Sequence, residues 1–127
     1  MSHRILVVED NPLNSELLCD WLEAEGYCVV SAATLHDACA ALEKDAPNAV
    51  LLDVQLGAED GLELAVSIRN DPRLRSLPVI AVTAHAMVTE QQRVMRAGCN
   101  ACVSKPIDFK ALNRHLHASL LHEPPAG

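Results

Sequence analysis

Carboxylates, a hydroxyl and an ammonium stand at the ends of apolar runs in this chain. Asn48-Ala-Val-Leu-Leu leads into Asp53, and Ile5-Leu-Val-Val leads into Glu9 and Asp10. Val79-Ile-Ala-Val leads into Thr83, and Val103-Ser104 leads into Lys105-Pro106. Buried strands of parallel sheets read as continuous apolar runs. Open α/β sheets place their working groups just past the carboxyl ends of such strands. If these runs lie parallel in one sheet, three carboxylates, one hydroxyl and one ammonium meet at one rim. A carboxylate can take a phosphoryl group to form an acyl phosphate, provided cations offset the approach of two anions. Three unpaired carboxylates would repel one another and take up protons. A divalent cation such as Mg²⁺ would relieve that repulsion.

The elements that would position these groups alternate between short apolar runs and helical spacing, five times over. That is the βα pattern of a doubly wound parallel sheet with helices on both faces. Strands are predicted at about 4–8, 28–32, 49–52, 79–82 and 101–104. Asn11-Pro12 opens the first helix, with Asn as cap and Pro in the first turn. Its apolar face reads Leu13, Leu17, Leu18, Trp21 and Leu22, and Gly26 ends it. Thr34 caps a second helix carrying Leu35, Ala38, Ala41 and Leu42. Residues 55–61 read as a polar turn before a third helix with Leu62, Ala65, Val66 and Ile68, broken at Asp71-Pro72. Thr89 and Gln92 fit a capping box, which starts a fourth helix near Glu90 and ends it at Gly98. Its weak apolar face predicts loose packing. The last helix shows Phe109, Leu112, Leu116 and Leu120 at helical spacing. We expect one domain over 1–122 and a short tail over 123–127.

This set of groups resembles the receiver domain of two-component response regulators. Glu9-Asp10 matches the family's acidic pair, Asp53 its phosphoacceptor, Thr83 its hydroxyl residue, and Lys105-Pro106 its Lys-Pro signature. Thr-Ala-His-Ala-Met at 83–87 and Gly-Cys-Asn-Ala-Cys-Val-Ser-Lys-Pro-Ile at 98–107 look most like stand-alone DivK-like regulators and hybrid histidine kinase receivers. The resemblance runs from about Arg4 to about His122 and implies the flavodoxin-like strand order 2-1-3-4-5. It implies Mg²⁺ (or Mn²⁺) ligated directly by Asp10 and Asp53, by Glu9 through water, and by the backbone carbonyl of Gln55. Lys105 would pair with one phosphoryl oxygen, and Thr83 would bond another, which makes Thr83 the switch. Gln55 and His85, near the mouth of the site, would modulate it. The family's cis Lys-Pro bond would aim Lys105 inward.

Each residue also has a plainer reading. Glu9-Asp10 could only favour the following helix, Asp53 could be a turn residue and Lys105 a surface charge; their joint placement at four strand ends argues against all of these together. The chain departs from the family at two points. The aromatic residue expected three positions before the lysine is Cys102, too small to be the usual moving lever of the switch. The proline expected four residues after Asp53 is Gly57, which should loosen the loop.

At 127 residues the chain is long enough for a real core, and half its residues are apolar with 2% aromatic, so the core must be aliphatic. A net charge of −7 argues against nucleic acid and anionic membrane as partners. The absence of a long apolar stretch and the short lead into the first strand predict a cytoplasmic protein without signal peptide or membrane span. Five cysteines, an odd number, read as reduced thiols. Cys99 and Cys102 form a C-x-x-C that precedes a strand rather than following one, so neither a redox nor a zinc site is expected. The expected function is a phosphoacceptor regulator, not a conventional enzyme, with self-catalysed phosphorylation and dephosphorylation. It would be fed by a histidine kinase or histidine phosphotransfer protein of a two-component system or phosphorelay. Signalling would pass by protein contact through the fourth helix, fifth strand and fifth helix. The alternatives are a receiver piece of a hybrid kinase or larger regulator, and a phosphate-independent pseudo-receiver scaffold. A haloacid- or phosphatase-like hydrolase is disfavoured, because Gln55 stands where its second Asp would be.

Overall fold

The computed structural model describes residues 3–84 and 87–121. His85 and the 122–127 tail therefore lie outside the described residues. Five strands, β1 (Arg4–Val8), β2 (Cys28–Ala32), β3 (Ala49–Asp53), β4 (Val79–Thr83) and β5 (Ala101–Ser104), alternate with five helices. The helices are α1 (Pro12–Ala24), α2 (Leu35–Lys44), α3 (Leu62–Asn70), α4 (Val88–Arg96) and α5 (Phe109–Leu121). The strands pair in parallel in the order β2-β1-β3-β4-β5, as expected.

Alternate side chains of each strand enter opposite faces of the sheet, and this splits the core in two. Ile5, Val7, Leu51, Ile80 and Val103 pack with Leu18 and Leu22 of α1 and Leu112 and Leu116 of α5. Leu6, Val8, Val50, Leu52 and Ala81 pack with Ala38 and Leu42 of α2, Ala65 and Ile68 of α3, and Val94 of α4. The register is level at the carboxyl ends: Val8 lies beside Ala32 and Leu52, Asp53 beside Val82, and Thr83 beside Ser104. Residues just past these ends therefore share one rim.

The first two helices begin where expected. Asn11 Oδ1 accepts the backbone N–H groups of Leu13 and Asn14 at 3.0 and 3.1 Å. Thr34 Oγ1 accepts that of Asp37 at 3.0 Å. Three other expectations are corrected. Leu13 and Leu17 are exposed, because Leu18 and Leu22 set the inward arc of α1 and each residue step turns about 100° away. Val66 is exposed for the same reason, and Leu64 takes the inward place in α3. The Thr89–Gln92 capping box does not form: α4 starts at Val88, its cap is Met87 without a side-chain bond, and Thr89 falls inside the first turn. The weak apolar face of α4 does leave Val94 as its buried side chain, with Val88 and Met95 exposed.

Residues 55–60, read as a polar turn, form a small antiparallel hairpin, Gln55–Leu56 against Glu59–Asp60. Gly57 takes the first of its two turn positions at φ +58, while no non-glycine residue among the described ones has positive φ. That is the II′ arrangement, which wants glycine at this place. Proline, held near φ −65°, could not adopt it, so Gly57 tightens the loop instead of loosening it.

Candidate functional site at the carboxyl rim of the sheet

Asp53 is the last residue of β3, one later than the strand end read from sequence, and is 5% exposed. Glu9 follows β1, is held by its backbone N–H to Ala32 O at 3.0 Å, and is 4% exposed. Asp10 faces solvent. One carboxylate oxygen from each of Glu9, Asp10 and Asp53 lies within 4.8 Å of the others. Lys105 reaches in from the end of β5, with Nζ 2.9 Å from Asp53 Oδ2 and 3.4 Å from Glu9 Oε1. Its backbone N–H donates to Thr83 O at 2.8 Å, which extends the β4–β5 ladder by one residue and fixes the lysine's origin. The Lys105–Pro106 peptide is cis, as expected. Thr83 ends β4 and is 2% exposed. Asp53 Oδ1 accepts the backbone N–H of Gln55 at 3.0 Å.

Two of these three carboxylates, Glu9 and Asp53, share the Lys105 ammonium, and Glu9 shows the strain electrostatically. Its Oε2 is buried without a hydrogen-bond partner among the described residues. Burial first, and then its contact with the Asp53 carboxyl, raise Glu9 from 4.5 to about 7. Burial alone would lower the Lys105 ammonium, but its hydrogen bond to Asp53 and the charges of Asp53 and Glu9 more than reverse this. An acidic group with an orphaned buried oxygen fits a divalent cation.

This gives a first expected result. Glu9's folded value lies above its ordinary one. Its contribution to stability is therefore whole below about pH 4.5 and is lost as pH rises through about 7. In EDTA the loss from this group should approach about 3 kcal/mol by pH 8. MgCl₂ should offset it, raising the melting temperature more at pH 8 than at pH 5. Glu9→Gln should flatten that pH dependence. Equal stabilisation of wild type by Mg²⁺ at both pH values would contradict the assignment.

Both cysteines of the C-x-x-C pair are free thiols. Cys99 is buried and pushed up to about 11 by that burial, and burial also raises half-buried Cys102. Cys102 packs against the α2–α4 side of the core.

Several residues of this region were not singled out from sequence. Gly61 packs against the Asp53 backbone, where a Cβ would fall 2.0 Å from Asp53 O. Asp60 pairs with Arg93 of α4 at 2.8 Å. Arg69 binds the carbonyls of Gly98, Leu77 and Arg75 and the Asn100 side chain, tying α3 to the loops before β4 and β5. An Asp-Gly step at 60–61 is a turn signal, but nothing in the sequence shows which carbonyl the glycine must approach.

The response regulator receiver domain family model matches residues 5–117. The chain is 39% identical over 107 residues to the polar-differentiation response regulator DivK of Brucella ovis, covering 84% of this chain and 87% of that one. Among solved structures it is similar to the signal receiver domain of a signal transduction histidine kinase from Syntrophus aciditrophicus. That likeness has a TM-score of 0.90 and 27% identity over 99% of this chain and 96% of the other. The receiver domain of NtrX from Brucella abortus superposes with a TM-score of 0.86 and 28% identity, covering 94% of this chain and 99% of that one. This chain belongs to the response regulator receiver family. It is a phosphoacceptor signalling protein of two-component systems rather than a conventional enzyme, and the family implies a histidine kinase partner.

Proposed function

We propose that Asp53 accepts a phosphoryl group from a phosphohistidine of a histidine kinase or phosphotransfer protein. The observation that carries this is Lys105 Nζ 2.9 Å from the buried Asp53 Oδ2, beside two further carboxylates. An Asp53 oxygen attacks phosphorus, the P–N bond to the donor histidine breaks, and an acyl phosphate forms. Glu9, Asp10, Asp53 and the backbone carbonyl of Gln55 would hold Mg²⁺ (or Mn²⁺), which supplies positive charge against the incoming phosphoryl oxygens. Lys105 gives its ammonium to one phosphoryl oxygen as a compact charge. Thr83 turns its hydroxyl to another, a contact that exists only with the phosphoryl group present and so biases the conformation. Gln55, exposed beside the rim, modulates access of the hydrolytic water, and His85 is assigned the same role from sequence.

We place the receiver over residues 1–122 and the protein in the cytoplasm; no helix among the described residues is long and apolar enough to cross a membrane. Exposed Leu13 and Leu17 flank the rim on α1 and suit a phosphodonor partner with an apolar face. Exposed Val88 and Met95 support signalling through the α4–β5–α5 face. A phosphotransfer profile against the histidine kinases of the host tests the reading. Transfer from none of them to Asp53 would defeat it.

Cys102 sits where receivers carry the moving ring, and its small side chain gains little by moving. Cys102→Ala should therefore keep the phosphorylation-dependent change in partner affinity within about 1 kcal/mol. Thr83→Ala should remove most of that change while Asp53 still accepts phosphate. Partner titrations with and without beryllofluoride compare the two. A response lost in Cys102→Ala and kept in Thr83→Ala would reverse the assignment.

A further inference from the structure

Three contacts in series join the Asp53 carboxylate to α4 without passing through Thr83 or Cys102. Asp53 Oδ1 accepts the Gln55 N–H at 3.0 Å. Gln55 is the cross-strand partner of Asp60 in the hairpin. Asp60 Oδ2 accepts from Arg93 Nη1 at 2.8 Å, in the second half of α4. The hairpin is closed by the Gly57 turn and braced at a further point, where Glu59 Oε1 accepts the Leu35 N–H at 3.3 Å. Asp60 Oδ1 also accepts the Leu62 N–H that starts α3, at 3.0 Å. These bonds tie the two-residue ladder to Asp53, α2, α3 and α4 at once.

The first contact in the series must change when Asp53 is phosphorylated. A hydrogen bond to a carboxylate is about twice as strong as one to a neutral oxygen. The acyl phosphate replaces that carboxylate oxygen by a neutral carbonyl oxygen, a bridging oxygen or a phosphoryl oxygen, so the Gln55 N–H changes its acceptor. The hairpin thus senses the state of Asp53 directly, with the difference in free energy that a switch requires.

We propose that Asp60 and Arg93 are positioning residues that carry the state of Asp53 through the hairpin to the second half of α4. The proposal rests on the reading of Asp53 as phosphoacceptor. The Arg93 and Asp60 side chains are 49% and 44% exposed. Such a pair adds little to stability; its value lies in what it connects. The ion pair Arg4–Asp45 crosses between elements too, but at the opposite end of β1 from the rim.

The test is a nitrogen-15 NMR titration of the full chain with MgCl₂ and beryllofluoride. The Val54 amide reports loading of the site, and the amides of Val94, Met95 and Arg96 report α4. In wild type both sets should shift. In Arg93→Gln and in Asp60→Asn, Val54 should respond as in wild type while the α4 shifts fall below half. The double variant should lose no more than either single one, and Arg93→Lys should restore part of the response. A purely structural role would leave the beryllofluoride response of α4 untouched. Full α4 shifts in both single variants would overturn the link alone. A double variant far below either single one would show separate effects and overturn the pairing. A wild type silent at Val54 would overturn the phosphoacceptor reading and the link with it.

Discussion

Asp53→Asn is expected to fold and yet take up no phosphoryl group from acetyl phosphate, where wild type takes up one. The substitution keeps the shape of the side chain and one acceptor for the Gln55 N–H, so the hairpin keeps its anchor. It removes the nucleophilic oxygen and one of the two carboxylates paired with Lys105. The lysine keeps Glu9 Oε1 at 3.4 Å, so no buried ammonium is stranded. Intact-mass analysis reads the outcome directly. EDTA should suppress labelling of wild type, because among the described residues Lys105 pairs with Glu9 and Asp53 while Asp10 adds a third carboxylate within 4.8 Å of them. Equal labelling of wild type and variant would move the acceptor elsewhere, and exposed Asp10 would be the first residue to map.

Gly61→Ala should be the more damaging change to the fold. Gly61 has ordinary helical dihedrals, φ −58 and ψ −26, so alanine's conformation is not the difficulty. Space is. A Cβ would fall 2.0 Å from Asp53 O and 3.1 Å from Val54 O. Both obstacles are backbone, and Gly61 N–H already donates to Val54 O at 2.7 Å. Relief requires the end of β3 to move, and Asp53 moves with it. We expect a loss of about 3 kcal/mol or more, at the upper end for overpacking. A displacement of about 1 Å at a reacting group can cost about a hundredfold in rate, so phosphorylation should slow on that scale in the folded fraction. Gly57→Ala supplies the contrast. There the Cβ meets only Asp10 Oδ2 at 3.5 Å, and the cost is the backbone strain of an alanine held at positive φ, about 1–3 kcal/mol. Urea denaturation with matched slopes ranks the two. A Gly61→Ala midpoint at or above that of Gly57→Ala would refute the close approach.

Much of this was legible in the sequence because short-range rules governed it. Uninterrupted apolar runs marked strands buried on both faces, and their polar successors, Glu9, Asp53, Thr83 and Lys105, fell at one rim once the register was level. Asn11 and Thr34 act within three residues of themselves, so their caps could be read locally. What escaped depended on direction in space. Leu13 and Leu17 share apolar spacing with Leu18 and Leu22, yet only the position of the sheet decides which arc of α1 is covered. Thr89 and Gln92 satisfied a local pattern, but α4 begins two residues earlier, where the chain leaves the rim. Gly57 was read as slack because its turn was not seen as a hairpin. Gly61, Asp60 and Arg93 join segments about 30 residues apart or press on a carbonyl, and no spacing announces such contacts.

The division of the core in two bears on how the chain is made. The face holding Ala38, Leu42, Ala65, Ile68 and Val94 is filled by helices that follow one another in synthesis. The opposite face joins the first strand to the last helix: Ile5 and Val7 wait beneath α1 until Leu112 and Leu116 arrive. During translation β2, β1 and β3 can assemble early, and β4 and β5 add outward in the order in which they emerge. One side of that growing sheet stays greasy until α5 leaves the ribosome. A nascent chain paused before Phe109 would thus present a one-sided, half-finished sheet, the form in which chaperone capture or aggregation is decided.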